Sequence, residues 1–145
     1  MPDGHTHNRA TGLLIAVTIG GALYLGAPLV SSADVIAGMT VGFFVGPDLD
    51  VDGGSIAMNN IRQNIGRLPA WLWKVFWWPY ATLMPHRSYW SHTPIIGTLV
   101  RVGYMAFMLF PLAIWVASTV DPWHLLFVFA GLCAVDTLHW FMDIW

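Results

Sequence analysis

An all-α bundle embedded in a membrane is the fold that this sequence predicts, and three observations predict it. Of 145 residues, 57% are hydrophobic and only 10% are charged, against about 25% charged in a soluble domain. The uncharged stretches are long: residues 10–33 and 102–120 carry no charge at all. The polar residues gather in short clusters between those stretches, and all eight acids are aspartates. A solvated helix surface uses glutamate freely, so these aspartates read as positional. The expectation is one domain over residues 1–145, an integral membrane bundle of about four membrane segments plus one interfacial amphipathic helix.

The first segment covers residues 10–33. At 1.5 Å per residue it is about 36 Å long, enough to cross a hydrocarbon core of roughly 30 Å. The same stretch can be read as a signal peptide with Arg9 as its basic flank. It is longer than the usual apolar region, and Asp3 stands in the leading part, both of which count against that reading. The second segment, residues 34–46, is expected to be an inner helix too short to span. It carries Gly38, Gly42 and Gly46 at one small residue per turn, a pattern that lets helices approach closely in lipid. Pro47 ends it, and Asp48, Asp50 and Asp52 follow at spacings of two.

Residues 53–68 are polar and read as a loop or short surface helix. Trp71, Trp73, Trp77 and Trp78 then surround Lys74. Tryptophan collects at the membrane–water boundary, so this is the helix expected to lie in that plane. The stretch from His86 to Pro94 puts His86, Arg87 and His92 just before the third segment, residues 93–120. Arg101 is the only charge in that segment, and it either snorkels to the near boundary or faces the bundle. Asp121 and Pro122 make the far turn, and residues 122–145 return. His124 lies at that turn and reads as interfacial. Cys133 is the only cysteine, which excludes an intrachain disulfide. A lone cysteine in an apolar run reads as packing.

Counting crossings brings four polar clusters to one face. His5 and His7 precede the first segment, Asp48 and Asp50 end the second, His86 and His92 precede the third, and His139 and Asp143 end the fourth. That face also holds Arg9, Arg62, Arg67, Lys74 and Arg87. The far turns, residues 28–34 and 119–123, hold neither Lys nor Arg, so the positive-inside rule makes the clustered face cytoplasmic. His139 and Asp143 are four apart and share a helix face, and Asp136 falls on it too. Histidine and aspartate without thiolate suit a divalent cation, zinc first, with manganese or iron as alternatives. More than four candidate ligands suggests two ions. A net charge of −2 excludes a broad nucleic-acid surface as the main activity.

The motifs Gly4-His5-Thr6-His7-Asn8, Gly46-Pro47-Asp48-Leu49-Asp50, His86 to Pro94 and His139 to Asp143 resemble those of a family of small uncharacterised metal-binding membrane proteins. The resemblance covers nearly the whole chain. More distantly, the sequence is similar to inner-membrane metal-dependent hydrolases. The resemblance implies metal binding through His7, Asp48, Asp50, His86, His92, His139 and Asp143. His5 stands where such proteins usually carry a basic residue, and so ranks below His7. Such proteins also usually continue past the last motif, so the chain is expected to be cut short at Trp145.

The leading expectation is a metal-dependent hydrolase of a phosphoester, such as a lipid phosphate, at the cytoplasmic face of a bacterial-type inner membrane. In that reading Asp50 is a ligand and catalytic, Arg87 holds a phosphoryl oxygen, and Asp136 or Asp52 orients a histidine ligand. The expected partners are membrane lipid and that substrate, with no nucleic acid. The alternative is a non-catalytic metal-binding scaffold or sensor. A metal or ion transporter ranks third, because the far halves of the segments carry almost no polar residues.

Overall fold

The computed structural model describes residues 4–50, 55–85 and 88–144, with all their side chains except those of His5, Asp50 and Ile56. Helices dominate, and no strand occurs among the described residues. Three of the helical stretches are long and apolar enough to cross a membrane, or four if one bent pair counts as a single span.

The first helix, α1 (Gly4–Leu25), ends sooner than expected. The turn lies at Gly26 to Pro28, at the leading edge of the expected turn over residues 28–34, so residues 29–33 belong to the second helix and not to the first segment. Gly26 sits at φ +62°, a left-handed conformation that glycine adopts without a Cβ clash. Pro28 then precedes α2 (Leu29–Gly42). The second crossing is correspondingly longer than predicted. The stretch Leu29–Leu49 has 21 residues and passes the length and hydropathy test for a span.

The core of the bundle is α2 against the last helix, α8 (Pro122–Ile144). Asp34 meets His124, Gly38 meets Val128, Gly42 meets Val135 and Asp48 meets His139. The order is the same along both helices, so they run parallel. A Cβ on Gly38 would overlap the Val128 carbonyl, and one on Gly131 would overlap the Val35 carbonyl. These glycines therefore permit backbone-to-backbone contact. Gly46, past the end of α2, does not join them: a Cβ there would meet only the Gly42 carbonyl, at 3.6 Å. The N-terminal end of α1 lies beside the C-terminal end of α8, which makes α1 antiparallel to it.

A short 3-10 turn, Pro47–Asp50, follows α2. Helix α3 (Ile56–Asn64) is capped by Ser55, whose Oγ accepts a hydrogen bond from the Met58 N–H at 3.2 Å. The tryptophan-rich helix α4 (Arg67–Leu83) turns Trp77 and Tyr80 inward onto Val45 and Leu49, and leaves Trp71 and Trp78 outside. Tyr104 completes this cluster, with its ring 5.3 Å from that of Trp77 and its hydroxyl donating to the Phe76 carbonyl.

The third segment is not one straight crossing. After α5 (Tyr89–His92), α6 (Ile96–Met108) and α7 (Phe110–Thr119) meet at Leu109 with a bend of 107°. The cause is legible at Pro111. It has no N–H to donate, and its ring would strike the carbonyl four residues earlier if the helix continued. Arg101 faces the bundle and is buried, so the snorkelling alternative is not what the chain adopts. His124 is bonded to Asp34 across the α2–α8 pair, a partner the sequence did not suggest. The outward faces are apolar, with Leu13, Val17, Leu23, Phe107, Ile114 and Leu126 all exposed.

Candidate metal centre

Four elements bring five donor side chains to one end of the α2–α8 pair. On α8, His139 and Asp143 are one turn apart, with Nε2 and Oδ2 separated by 3.4 Å. From the first turns of α1, His7 places Nε2 3.4 Å from the other Asp143 oxygen and stacks its ring on His139 at 4.0 Å. The 3-10 turn supplies Asp48, whose Oδ1 lies 3.5 Å from His139 Nε2 and 3.9 Å from His92 Nε2. His92 closes α5. The donors form two groups, His7, His139 and Asp143, and Asp48, His92 and His139, within each of which the ligand atoms lie inside 4.8 Å of one another.

The spacing tests whether a metal fits. An N–H···O hydrogen bond between such groups would be about 2.7–3.2 Å long. Two ligand atoms each about 2.1 Å from one ion, at a tetrahedral angle, would lie about 3.4 Å apart. Three of the four His–Asp separations are 3.4 or 3.5 Å, as ligands around a common point would be. The donor chemistry agrees: three imidazoles and two carboxylates, with no thiolate, suit a divalent first-row ion. Exposure is uneven. The side chains of His7, His92 and His139 are 8%, 9% and 11% exposed, whereas that of Asp48 is 41% exposed. The centre therefore opens on the Asp48 side.

Behind His92 stands a buried polar relay. Ser91 Oγ lies 2.9 Å from His92 Nδ1 and donates to the Ser88 carbonyl at 3.2 Å. A hydroxyl that donates to Ser88 accepts from Nδ1–H, which leaves Nε2 its lone pair for a metal. The Ser91 carbonyl accepts from Arg101 Nη1 at 2.7 Å. Arg101 Nη2 pairs with Asp136, which also accepts from the Thr98 hydroxyl, and all three residues are buried. The chain reaches α6 through Ile95 at φ +68°, a conformation rare for a β-branched residue. A Cβ on Gly97 would collide with the Ser91 carbonyl. The tight turn after His92 thus needs a strained residue, a glycine and the grip of Arg101.

Residues 2–141 match the family model described as uncharacterized metal-binding protein (DUF2227). The chain belongs to that family. No curated protein and no solved structure matches it. Membership in this metal-binding family and the five converging donors point the same way, toward a bound metal ion.

Of the ligands expected from the sequence, His7, Asp48, His92, His139 and Asp143 come together. The side chains of His5 and Asp50, and all of Asp52, His86 and Arg87, lie outside the described residues. Asp136 contacts Arg101 and Thr98 and stands one layer behind the donors. Ser91 and Thr98 escaped the sequence reading. The signal for Ser91 was its place beside His92. Thr98 had none, because a threonine in an apolar helix usually bonds its own backbone.

Proposed function

We propose that this member of the metal-binding family is a membrane-embedded, metal-dependent hydrolase of a phosphoester, with its centre at the cytoplasmic face of a bacterial-type inner membrane. The observation that carries the reading is the composition of the two donor groups. Each holds two imidazoles and one carboxylate, the count of protein ligands in hydrolytic zinc sites, which keep a position open for substrate or water. Structural zinc sites are filled by four protein ligands. Zinc suits the set, with manganese or iron as the alternatives. His139 Nε2 belongs to both groups, and an imidazole nitrogen offers a metal one lone pair. One ion held by the three donors of either group keeps that open position, and a second would need ligands beyond the described ones.

A divalent ion supplies Lewis acidity to a phosphoryl oxygen and to water. The chain's own residues do the rest. His7, His139 and Asp143 form the closed wall of the centre. Asp48 stands at its open edge, where substrate and water arrive. Ser91 fixes the His92 ring, and Asp136, acting through Arg101, holds Ser91; Asp136 is a positioning residue. In this reading Asp50 serves as a further ligand and catalytic carboxylate, and Arg87 clamps a phosphoryl oxygen. Outward-facing Trp71 and Trp78 suit a helix at the membrane boundary, and a centre at headgroup depth would favour a lipid phosphate.

One observation favours a non-catalytic metal scaffold instead. Three imidazoles and two carboxylates are enough to fill a coordination shell with protein atoms alone. The test is turnover of phosphatidate and isoprenoid phosphates by protein purified in mild detergent and loaded with Zn²⁺ or Mn²⁺. Turnover that disappears in His139→Ala supports the enzyme. Equal rates in both proteins end that reading and leave the scaffold.

A further inference from the structure

The first helix is attached to the bundle differently from α2 and α8. Among its described side chains only His7 and Thr11 are buried, both near its start, and none of its hydrophobic residues belongs to the buried core. A Cβ on Gly12, Gly20 or Gly21 would meet no atom within 4 Å, whereas one on Gly38 or Gly131 would strike the backbone of the facing helix. So α2 and α8 close on each other through their backbones, and α1 lies more loosely beside them. In lipid that difference has a consequence. Apolar side chains gain little by leaving the bilayer for a neighbouring helix, so close packing and polar contacts decide association.

Helix α1 is fastened chiefly at two points. At its far end the chain passes through Gly26, at φ +62°, to Pro28, with the Ala27 N–H donating to the Ala22 carbonyl at 2.9 Å. At its near end His7 meets α8. It stands nineteen residues before Gly26, about 28 Å away along the helix. Its Nε2 lies 3.4 Å from Asp143 Oδ1, and its ring stacks on that of His139 at 4.0 Å. His7, His139 and Asp143 are one of the two donor groups, and His7 is what α1 brings to it. The other group, Asp48, His92 and His139, holds no residue of α1. A metal ion in the first group would join α1 to α8, and an ion in the second would not.

We infer that α1 is a metal-dependent arm. It docks on α8 through His7 when the centre is loaded, and its near end swings away about the Gly26–Pro28 turn when the metal leaves. Differential affinity supplies the bias: an ion that gains His7 as a ligand only in the docked form favours that form by the ratio of its affinities for the two. The α2–α8 pair does not share this dependence, because the close approach at Gly38, Gly42 and Gly131 and the bond from His124 to Asp34 hold it without an ion. The position of α1 therefore reports whether the centre is filled. The inference rests on metal binding and on the membrane reading of the fold, and not on hydrolysis.

The test is the distance between two nitroxide labels, read by pulsed electron resonance on protein in lipid nanodiscs, with the native thiol removed by Cys133→Ala. Leu13→Cys on α1 and Leu126→Cys on α8 put the labels at exposed positions. With Zn²⁺ bound, one narrow distance is expected. After the metal is stripped, the distance should broaden and lengthen by about 5 Å or more, the scale on which packed helices change arrangement. A control pair, Val41→Cys on α2 with Leu126→Cys, is expected to stay fixed. Two ligand variants locate the tie. His7→Ala should keep the long distance even at saturating Zn²⁺. His92→Ala lacks a donor of the other group only, so it should bind Zn²⁺ more weakly yet return to the short distance once saturated. The inference is overturned if loaded and stripped proteins give the same distance, or if the control pair moves as far as the arm. It is also overturned if His7→Ala closes with Zn²⁺ as the wild type does, or if saturated His92→Ala stays open. An arm that moves in a protein without turnover sinks the hydrolase reading alone. Turnover in a protein whose α1 stays in place sinks the arm alone.

Discussion

The two ends of the α2–α8 pair each bring an aspartate of α2 or its following turn against a histidine of α8, and they do different things with it. At the start of both helices, Asp34 and His124 lie 2.6 Å apart, a direct hydrogen bond between two groups that satisfy each other. At the other end, Asp48 and His139 lie 3.5 Å apart, and Asp143, His7 and His92 stand at similar distances around them. The same pair of residue types therefore closes as a short bond between two partners at one end and stands wider, shared among several donors, at the other. The difference teaches that proximity of histidine and aspartate does not mark a metal centre. Convergence of several donors that hold off from one another does. The relay of Ser91, Arg101 and Asp136 explains how the second arrangement persists, since it holds His92 from behind.

The largest expected effect comes from breaking that relay. Arg101→Met leaves the buried Asp136 carboxylate without its partner, and removing one member of a buried pair costs about 3–5 kcal/mol. Denaturant unfolding in mixed micelles should show that loss, and Arg101→Met with Asp136→Leu should recover most of it. A single variant as stable as wild type would mean that the pair does not hold the near end. Next comes His139→Ala, which removes the donor common to both groups. Zn²⁺ affinity should fall by about a hundredfold or more, a loss of roughly 2.7 kcal/mol, as measured by competition with a chromophoric chelator. His124→Ala, its counterpart at the far end, should leave Zn²⁺ binding unchanged, and equal losses in the two variants would erase the contrast between the ends. Ser91→Ala removes the group that orients His92. Such outer partners typically contribute 10–100-fold in metal affinity, so a drop of about tenfold is expected by the same chelator competition. The smallest effect belongs to stability in His124→Ala. The histidine side chain is 43% exposed, and pairs so placed contribute about 0–1 kcal/mol, which thermal unfolding should resolve as little or no shift.

Much of the bundle was legible because lipid and helix geometry constrain it strongly. Uncharged stretches gave the crossings, and counting those crossings brought His7, Asp48, His92, His139 and Asp143 toward one end. The errors fell where a local signal was underweighted. Gly26 and Pro28 break the first long stretch, so the turn lies at the leading edge of the expected one, residues 28–34, and Asp34 falls inside α2. That aspartate is instead tolerated inside the helix because His124 bonds it. Pro111 broke the third segment, which had been read by its lack of charge alone. Gly38 and Gly42 do let α2 meet α8, while a Cβ on Gly46 of the same stripe would meet no atom of α8 within 4 Å. One-per-turn spacing does not say where a neighbouring helix ends its contact.

The sequence by itself determined the all-helical class, the approximate number of segments long and apolar enough to cross a membrane, and the residue types able to hold a metal. Apolar length and charge placement are properties of the chain that need no partner to be read. Only the tertiary structure decided which histidine closes on a single aspartate and which share theirs within a cluster of donors, and that Arg101 turns inward to Asp136. Those outcomes depend on ångström differences between side chains ninety residues apart, which the packing of α2 against α8 sets and no local pattern encodes.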